Sequence, residues 1–206
     1  GKAALYTNTT GANNIAIGYE ALKLATTADD NTVIGTQAGD AITTGHTNTL
    51  IGRHAGGVIS TGHENVAIGG NALDALTTGN DHVAVGYAAL SALTTGARCT
   101  GVGYGAGANA TTANNNTLMG YDAGVQLTTG SANVAIGVYA LDAATTNGAN
   151  VAIGYQALSA DTGANCVAVG YEALKLNTGA SNVAVGRLAA DGVTTGEKNV
   201  AIGDLA

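Results

Sequence analysis

Apolar and polar positions recur along the chain with a fixed period, and a glycine marks each copy. A short apolar run ends at a glycine, and successive glycines are 17 residues apart, except for two steps of 16 after Gly154 and Gly170. These anchor glycines are Gly18, Gly35, Gly52, Gly69, Gly86, Gly103, Gly120, Gly137, Gly154, Gly170, Gly186 and Gly203. With the anchor numbered zero, positions −3 to −1 are almost all apolar and position +3 is always alanine. Charges fall mainly at −6, −5, +1, +2 and +5, so each repeat alternates between predicted buried and exposed positions.

The repeat length limits which elements one copy can form. Seventeen residues are too few for two helices, but they fit one coil with two short strands and two turns. The β-branched run before each anchor predicts a strand. The Thr-Thr-Gly segment predicts a turn whose glycine, at −7, has a positive φ. The segment from +1 to +7 fits a bent strand or one or two helical turns, and we favour a strand.

These elements predict an all-β fold, a parallel β-solenoid or β-roll of about 12 coils of 17 residues. Residues 1–206 then form a single repeat-array domain. The repeat continues to both ends without a recognisable capping segment, which is typical of a segment of a longer fibre or of a subunit that stacks end to end.

Asparagine occupies position −4 in nine of the twelve copies, which predicts a ladder of side-chain amides between stacked coils. The ladder residues are Asn14, Asn31, Asn48, Asn65, Asn116, Asn133, Asn150, Asn182 and Asn199. His82, Cys99 and Cys166 replace asparagine at the other three positions. The two cysteines lie four coils apart, about 19 Å at the strand spacing, so we expect thiols rather than a disulfide.

Two positions exchange size between copies. Most copies have alanine at −2 and leucine at +4, as in Ala67 with Leu73, whereas Leu118 at −2 occurs with Gly124 at +4. Val33 with Gly39 and Leu50 with Gly56 show the same reversal. Close packing explains this exchange if −2 and +4 share one packed space.

The strand before the anchor is apolar at consecutive positions, so both of its faces should be buried. One face can fill the interior of the coil, and the other needs a second surface. Association with identical chains supplies that surface. Rings of three suit a rod, but the strand pattern does not fix the number of chains.

Composition narrows the class of protein. The chain has 32 Gly and no Pro, Trp or Phe, so its core must consist of small and aliphatic side chains. A net charge of −7 and scattered basic residues argue against nucleic acid as a partner. No apolar run approaches 18 residues, so we expect no membrane insertion by this segment.

The Asn-Val-Ala-Ile-Gly motif with alanine three residues later, as at Asn65–Gly69 and Asn133–Gly137, resembles the YadA-like head repeats of trimeric autotransporter adhesins. The Thr-Thr-Gly spacer is similar to related repeats in phage and viral tail fibres. The resemblance implies a left-handed, homotrimeric β-roll at a cell surface or in a virion fibre. The period of 17 is longer than in the adhesin heads, and residues 1–206 contain no segment recognisable as their neck, stalk or membrane anchor.

Catalysis needs groups that converge in a pocket, and a repeat rod presents rows instead, so we expect no enzyme and no cofactor. Carboxylates at +5, such as Asp74, Asp142 and Asp191, are interpreted as a solvated ridge. His46 and His63 at −6 of neighbouring coils are interpreted as exposed turn histidines, and we expect no metal site. The weaker alternative is that they are metal ligands, which His54 could approach in an oligomer.

Threonine pairs before −7, such as Thr43-Thr44 and Thr77-Thr78, form either a polar turn ladder or an ice-binding array. The sequence therefore favours a structural or adhesive fibre segment, outside the cell or on a virion, whose receptor is unknown. A self-assembling filament subunit and an ice-binding protein are the alternatives.

Overall fold

The computed structural model describes residues 1–160 and 163–206 and confirms the all-β solenoid. One sheet contains 12 parallel strands in chain order, one from each coil, in about eleven turns. The strands are β1 (Ile15–Ile17), β2 (Thr32–Ile34), β3 (Thr49–Ile51), β4 (Val66–Ile68), β5 (Val83–Val85), β6 (Thr100–Val102), β7 (Thr117–Met119), β8 (Val134–Ile136), β9 (Val151–Ile153), β10 (Val167–Val169), β11 (Val183–Val185) and β12 (Val200–Ile202). Helices are absent from these described ranges.

The strands stack in register, so equivalent repeat positions form straight rows. Val134, Ala135 and Ile136 pair with Val151, Ala152 and Ile153 of the next strand. Register survives the 16-residue steps, because Val151 still pairs with Val167 and Val167 with Val183. The residue by which each 16-residue step is shorter is therefore missing from a part of the coil outside the strands.

The second predicted strand, from +1 to +7, is wrong. These residues form consecutive turns in which positions +2 and +4 have φ between 50° and 64°. Their amides still bond between coils: Gln37 N–H donates to Tyr19 O at 2.8 Å, and Leu22 N–H donates to Ala38 O at 3.0 Å. Bonding between coils therefore holds a backbone conformation that Leu and Glu rarely adopt.

The backbone conformation at the anchor position requires glycine, whereas the backbone conformation at −7 does not. Anchor glycines have φ between 134° and 146°, a region that is essentially restricted to glycine. The −7 glycines do not have the positive φ that we predicted. A Cβ added at Gly62 would lie 2.6 Å from Gly79 O of the next coil, so close approach between coils favours glycine there.

The predicted sharing of space between −2 and +4 is confirmed. A Cβ on Gly124 would lie 2.9 Å from Cδ2 of Leu118, and a Cβ on Gly56 would lie 3.0 Å from Leu50. A Cβ added at Gly39, at +4 of the preceding coil, would also lie 2.8 Å from Cδ1 of Leu50. A large −2 side chain therefore fills space between two +4 positions. The alanines at +3 complete this core and are fully buried from Ala21 to Ala189.

Candidate functional site

The asparagine ladder forms as predicted and lies inside the coil. Asn48 donates from both its backbone N–H and its Nδ2 to Oδ1 of Asn31, at 3.0 Å each. Its Nδ2 also donates to Gly62 O of the neighbouring turn at 2.9 Å. The ladder is buried from Asn31 to Asn182, whereas Asn14 and Asn199 in the terminal coils are partly or fully exposed. Its role is to satisfy buried polar groups of the turns.

His82 continues the ladder through its ring. Nε2 of His82 lies 2.8 Å from Gly96 O, and the backbone N–H of Cys99 donates to Nδ1 at 3.2 Å. Both bonds require a neutral ring with its proton on Nε2. Burial lowers the pKa of His82, while the hydrogen bond to Gly96 O and the nearby Asp81 act in the opposite direction.

The two cysteines are buried, as their position in the ladder predicts. They form no disulfide within the described chain. Sγ of Cys99 lies 3.4 Å from Ala113 O, and Sγ of Cys166 lies 3.3 Å from Gly179 O. Burial raises the pKa of the Cys99 thiol, which disfavours the reactive thiolate.

Asn177 is a structural residue that the sequence analysis missed. It lies at +7 of a 16-residue coil, is fully buried, and donates from Nδ2 to Gly179 O at 2.7 Å. Its Oδ1 accepts bonds from the N–H of Gly179 at 3.1 Å and from Nδ2 of Asn182 at 2.9 Å. Asn177 thus supplies the amide oxygen that Cys166 lacks. The available signal was a polar residue at a position where most other copies have alanine, isoleucine or leucine.

The outer face of the sheet consists of the side chains at −3 and −1 of β1–β12. The −2 side chain of each internal strand is buried, whereas −3 and −1 are half-buried or exposed. Ile68 and Met119 remain 37% and 40% exposed on this face. The single chain therefore leaves an apolar stripe along its sheet, as two-sided apolar strands predict.

Beyond the anchors lies a row of aromatic rings, the tyrosine row: Tyr87, Tyr104, Tyr121, Tyr139, Tyr155 and Tyr171. All of them occupy +1 except Tyr139, which occupies +2. Tyr104 and Tyr121 stack with centroids 5.2 Å apart and planes within 8°. The sequence analysis did not predict this stacking.

The threonine pairs divide between two roles. The first hydroxyl donates to a carbonyl of the next coil, as from Thr77 to Thr94 O at 3.0 Å and from Thr94 to Thr111 O at 3.0 Å. This part of the predicted polar turn ladder is confirmed. The second threonine of each pair, such as Thr78 or Thr95, is exposed. One exposed threonine row therefore remains for any contact with a surface.

The rings of His46 and His63 stack, with centroids 4.8 Å apart and planes within 2°. Because the two rings are parallel, the lone pairs of their nitrogens point in parallel directions and do not converge on one metal position. The part of the chain that the structure describes contains no cluster of three or more His, Cys, Asp or Glu side chains that could hold a metal. A metal site at His46 and His63, with or without His54, stays the weaker alternative and is untested.

Charged side chains line a surface groove of about 250 Å³ near the C-terminal coils. Glu172, Lys175, Leu176 and Asp191 line it, and Lys175 Nζ lies 3.2 Å from Glu172 Oε1. The expected ridge at +5 is only partly solvated, because Asp191 is exposed while Asp142 is half-buried. Burial raises the pKa of Asp142.

Residues 1–160 and 163–206 contain no helix long and apolar enough to cross a membrane. No protein-family model, curated protein or solved structure matches the chain. The resemblance to adhesin heads and tail-fibre repeats therefore depends on the repeated motif alone.

Proposed function

We propose that this chain is a structural or adhesive segment of an extracellular or virion fibre, which projects a binding tip or mediates attachment to a surface. The observation that supports this function is the outer face: a row of half-exposed apolar side chains that continues through twelve strands in register. Contiguous exposed apolar surface marks an interaction site. As a fibre segment, the chain would act through its extended shape and through the surface that each coil repeats.

A second copy of the chain is the partner that fits this face. Its outer face has the same residues at the same spacing, so side chains of two copies can match coil by coil. Low charge supports the same partner, since only 10% of residues are charged and both −3 and −1 lack charges. A homotrimer is favoured because the motif resembles adhesin heads, and each chain in a ring covers its neighbours.

Mass measurement in solution tests the assembly. We expect a mass three times that of the 19.9 kDa chain. Val134→Lys with Ile136→Lys places two charges on the outer face of β8 and should dissociate the trimer. Thr129→Lys, at an exposed turn position, is the matched control and should leave the mass unchanged. A monomeric wild-type chain would overturn the proposal.

Attachment needs a separate test because the receptor is unknown. Exposed positions +1, +2, +5, −5 and −6 are the surface that remains after the outer face is covered. Charge reversal at −5, by Glu64→Lys with Asp81→Lys, should weaken binding of the purified rods to their target surface. Unchanged attachment after such reversals around the rod would exclude an adhesive role. Electron microscopy separates rods of fixed length from long filaments, which would favour the filament alternative.

The exposed second threonines support ice binding as a second candidate function. They form a single row, because the first threonine of each pair bonds to backbone through its hydroxyl. Thermal hysteresis of the freezing point measures this activity directly. Hysteresis that disappears in Thr95→Lys with Thr112→Lys would favour it over the fibre role, and its absence in the wild type would exclude it.

A further inference from the structure

The tyrosine row divides into stacked and edge-on contacts. Tyr87 and Tyr104 stack with centroids 5.4 Å apart and planes within 19°. Tyr155 and Tyr171 stack at 5.3 Å and 13°. Tyr139, displaced by one position, meets Tyr121 and Tyr155 edge-on at 5.5 and 6.4 Å. Six of the eight tyrosines therefore contact another tyrosine from an adjacent coil.

Five of these six rings are exposed as well as close to a neighbour, and Tyr139 is half-buried. Tyr87 and Tyr104 are 52% and 51% exposed, and Tyr171 is 49% exposed. Tyr6 and Tyr19 are similarly exposed, at 75% and 46%, but within the described chain they contact no other tyrosine ring. The protein thus contains paired and isolated tyrosines of comparable exposure.

We propose that the stacked tyrosines are a modification site at which one-electron oxidation forms dityrosine cross-links between adjacent coils. The co-reactant is a peroxide, used by a peroxidase-type oxidant. Each of two phenols gives up one electron and one proton. The two tyrosyl radicals form a carbon–carbon bond between ring positions ortho to the hydroxyls, and each coupled carbon loses its hydrogen as the phenol is restored. One hydrogen peroxide accepts both electrons and both protons and becomes two water molecules.

Geometry directs this coupling along the rod. Radical coupling competes with other fates of the radical, so a partner already in contact has the advantage of proximity. Adjacent backbones lie one strand spacing apart, about 4.8 Å, and exposed side chains can rotate to bring ortho carbons together. A cross-link would tie coils that otherwise hold together by hydrogen bonds and packing. Successive links would strengthen a fibre along its axis.

Oxidation of the intact protein with horseradish peroxidase and hydrogen peroxide tests the proposal. Arg98 separates Tyr87 from Tyr104, so a link between them joins tryptic peptides 54–98 and 99–175. We expect this joined peptide, together with dityrosine fluorescence, and we expect its yield per chain to be independent of protein concentration. Links that involve Tyr6 or Tyr19 should be absent when the protein is dilute.

Tyr→Phe variants test which tyrosines form the cross-link, because they remove the hydroxyl and keep the aromatic ring. Tyr104→Phe should abolish the product in which peptide 54–98, through Tyr87, is joined to peptide 99–175, because phenylalanine forms no phenoxyl radical. Tyr19→Phe is the matched control and should leave the yield unchanged. The proposal is overturned if Tyr6 or Tyr19 cross-links as readily as the stacked tyrosines. It is equally overturned if cross-linking falls in proportion to dilution, or if tyrosine is consumed without dityrosine.

Discussion

The asparagine ladder is interrupted in two regions, and the two interruptions are repaired differently. In the first, His82 and Cys99 occupy consecutive rungs of 17-residue coils. His82 replaces the amide with its own ring, which both donates and accepts. In the second, Cys166 occupies one rung between two 16-residue steps, and Asn177 of the following turn supplies the missing amide.

This difference shows that the slot requires a donor and an acceptor rather than asparagine itself. Imidazole meets the requirement only while it is neutral, since Nδ1 must accept a bond from Cys99. The amide of Asn177 does not titrate, so the second repair is independent of pH. The hydrogen bonds of the first interruption therefore depend on pH, because they form only while His82 is neutral.

Removing Asn177 should have the largest effect. Asn177→Ala leaves the N–H of Gly179 without its acceptor and removes one acceptor from Asn182, at a cost of about 3 kcal/mol of unfolding free energy. Alanine is already buried at +7 in Ala110 and Ala144, so packing at this position tolerates it. Urea unfolding measures the change.

Asn109→Ala is the control, because it removes an exposed amide whose hydrogen bond to Gln126 measures 3.3 Å. Its effect should stay within about 0.5 kcal/mol. Cys166→Asn in the Asn177→Ala background should recover part of the loss by restoring a regular rung. Equal stability of Asn177→Ala and the wild type would mean that the second interruption needs no repair.

The first interruption should be sensitive to acid. The pKa of His82 is lowered by burial, so the unfolded chain binds a proton more readily than the folded chain. The stability that neutral His82 contributes is present above the ordinary histidine pKa of about 6.5 and is lost as pH falls from there through the lower folded-state pKa. Unfolding free energy measured between pH 8 and pH 5 should therefore decline in the wild type.

His82→Asn separates this decline from the titration of other groups. Its amide should reproduce the regular rung and does not titrate, so the variant should lose less stability over the same pH range. His46, His54 and His63 remain in both proteins and cancel in the comparison. Identical pH profiles for the two proteins would exclude His82 as the acid-sensitive rung.

The repeat made most of the fold predictable from sequence. The anchor glycines, the β-branched run and Asn at −4 each recur often enough to predict the strand, the coil and the ladder. The exchange of size between Leu118 and Gly124 even located a contact in the core. Repetition supplied what one copy could not, because equivalent positions must stack in register.

The turns after each anchor were not predictable in the same way. Leucine at +4 does not signal positive φ, and bonding between coils imposes this conformation. Asn177 was missed because its partner, Asn182, comes from another position of the repeat. The stacking of the tyrosine row follows from a spacing of 17, but the edge-on contacts of Tyr139 depend on side-chain orientation, which the spacing does not fix.

Restoring asparagine at the cysteine positions should give the smallest effect. It compares the rung at Cys99, which has no amide, with the rung at Cys166, to which Asn177 supplies one. Cys99→Asn offers Oδ1 to Asn116 and Nδ2 to Ala113 O, as in a regular rung, and should raise unfolding free energy by about 1 kcal/mol. Cys166→Asn should gain less, because Asn177 already supplies an amide there. Urea unfolding of both variants, with Cys99→Ala as the control that restores no amide, provides the measurement. A larger gain at position 166 than at position 99 would contradict the role of Asn177 as the replacement for the amide that Cys166 lacks.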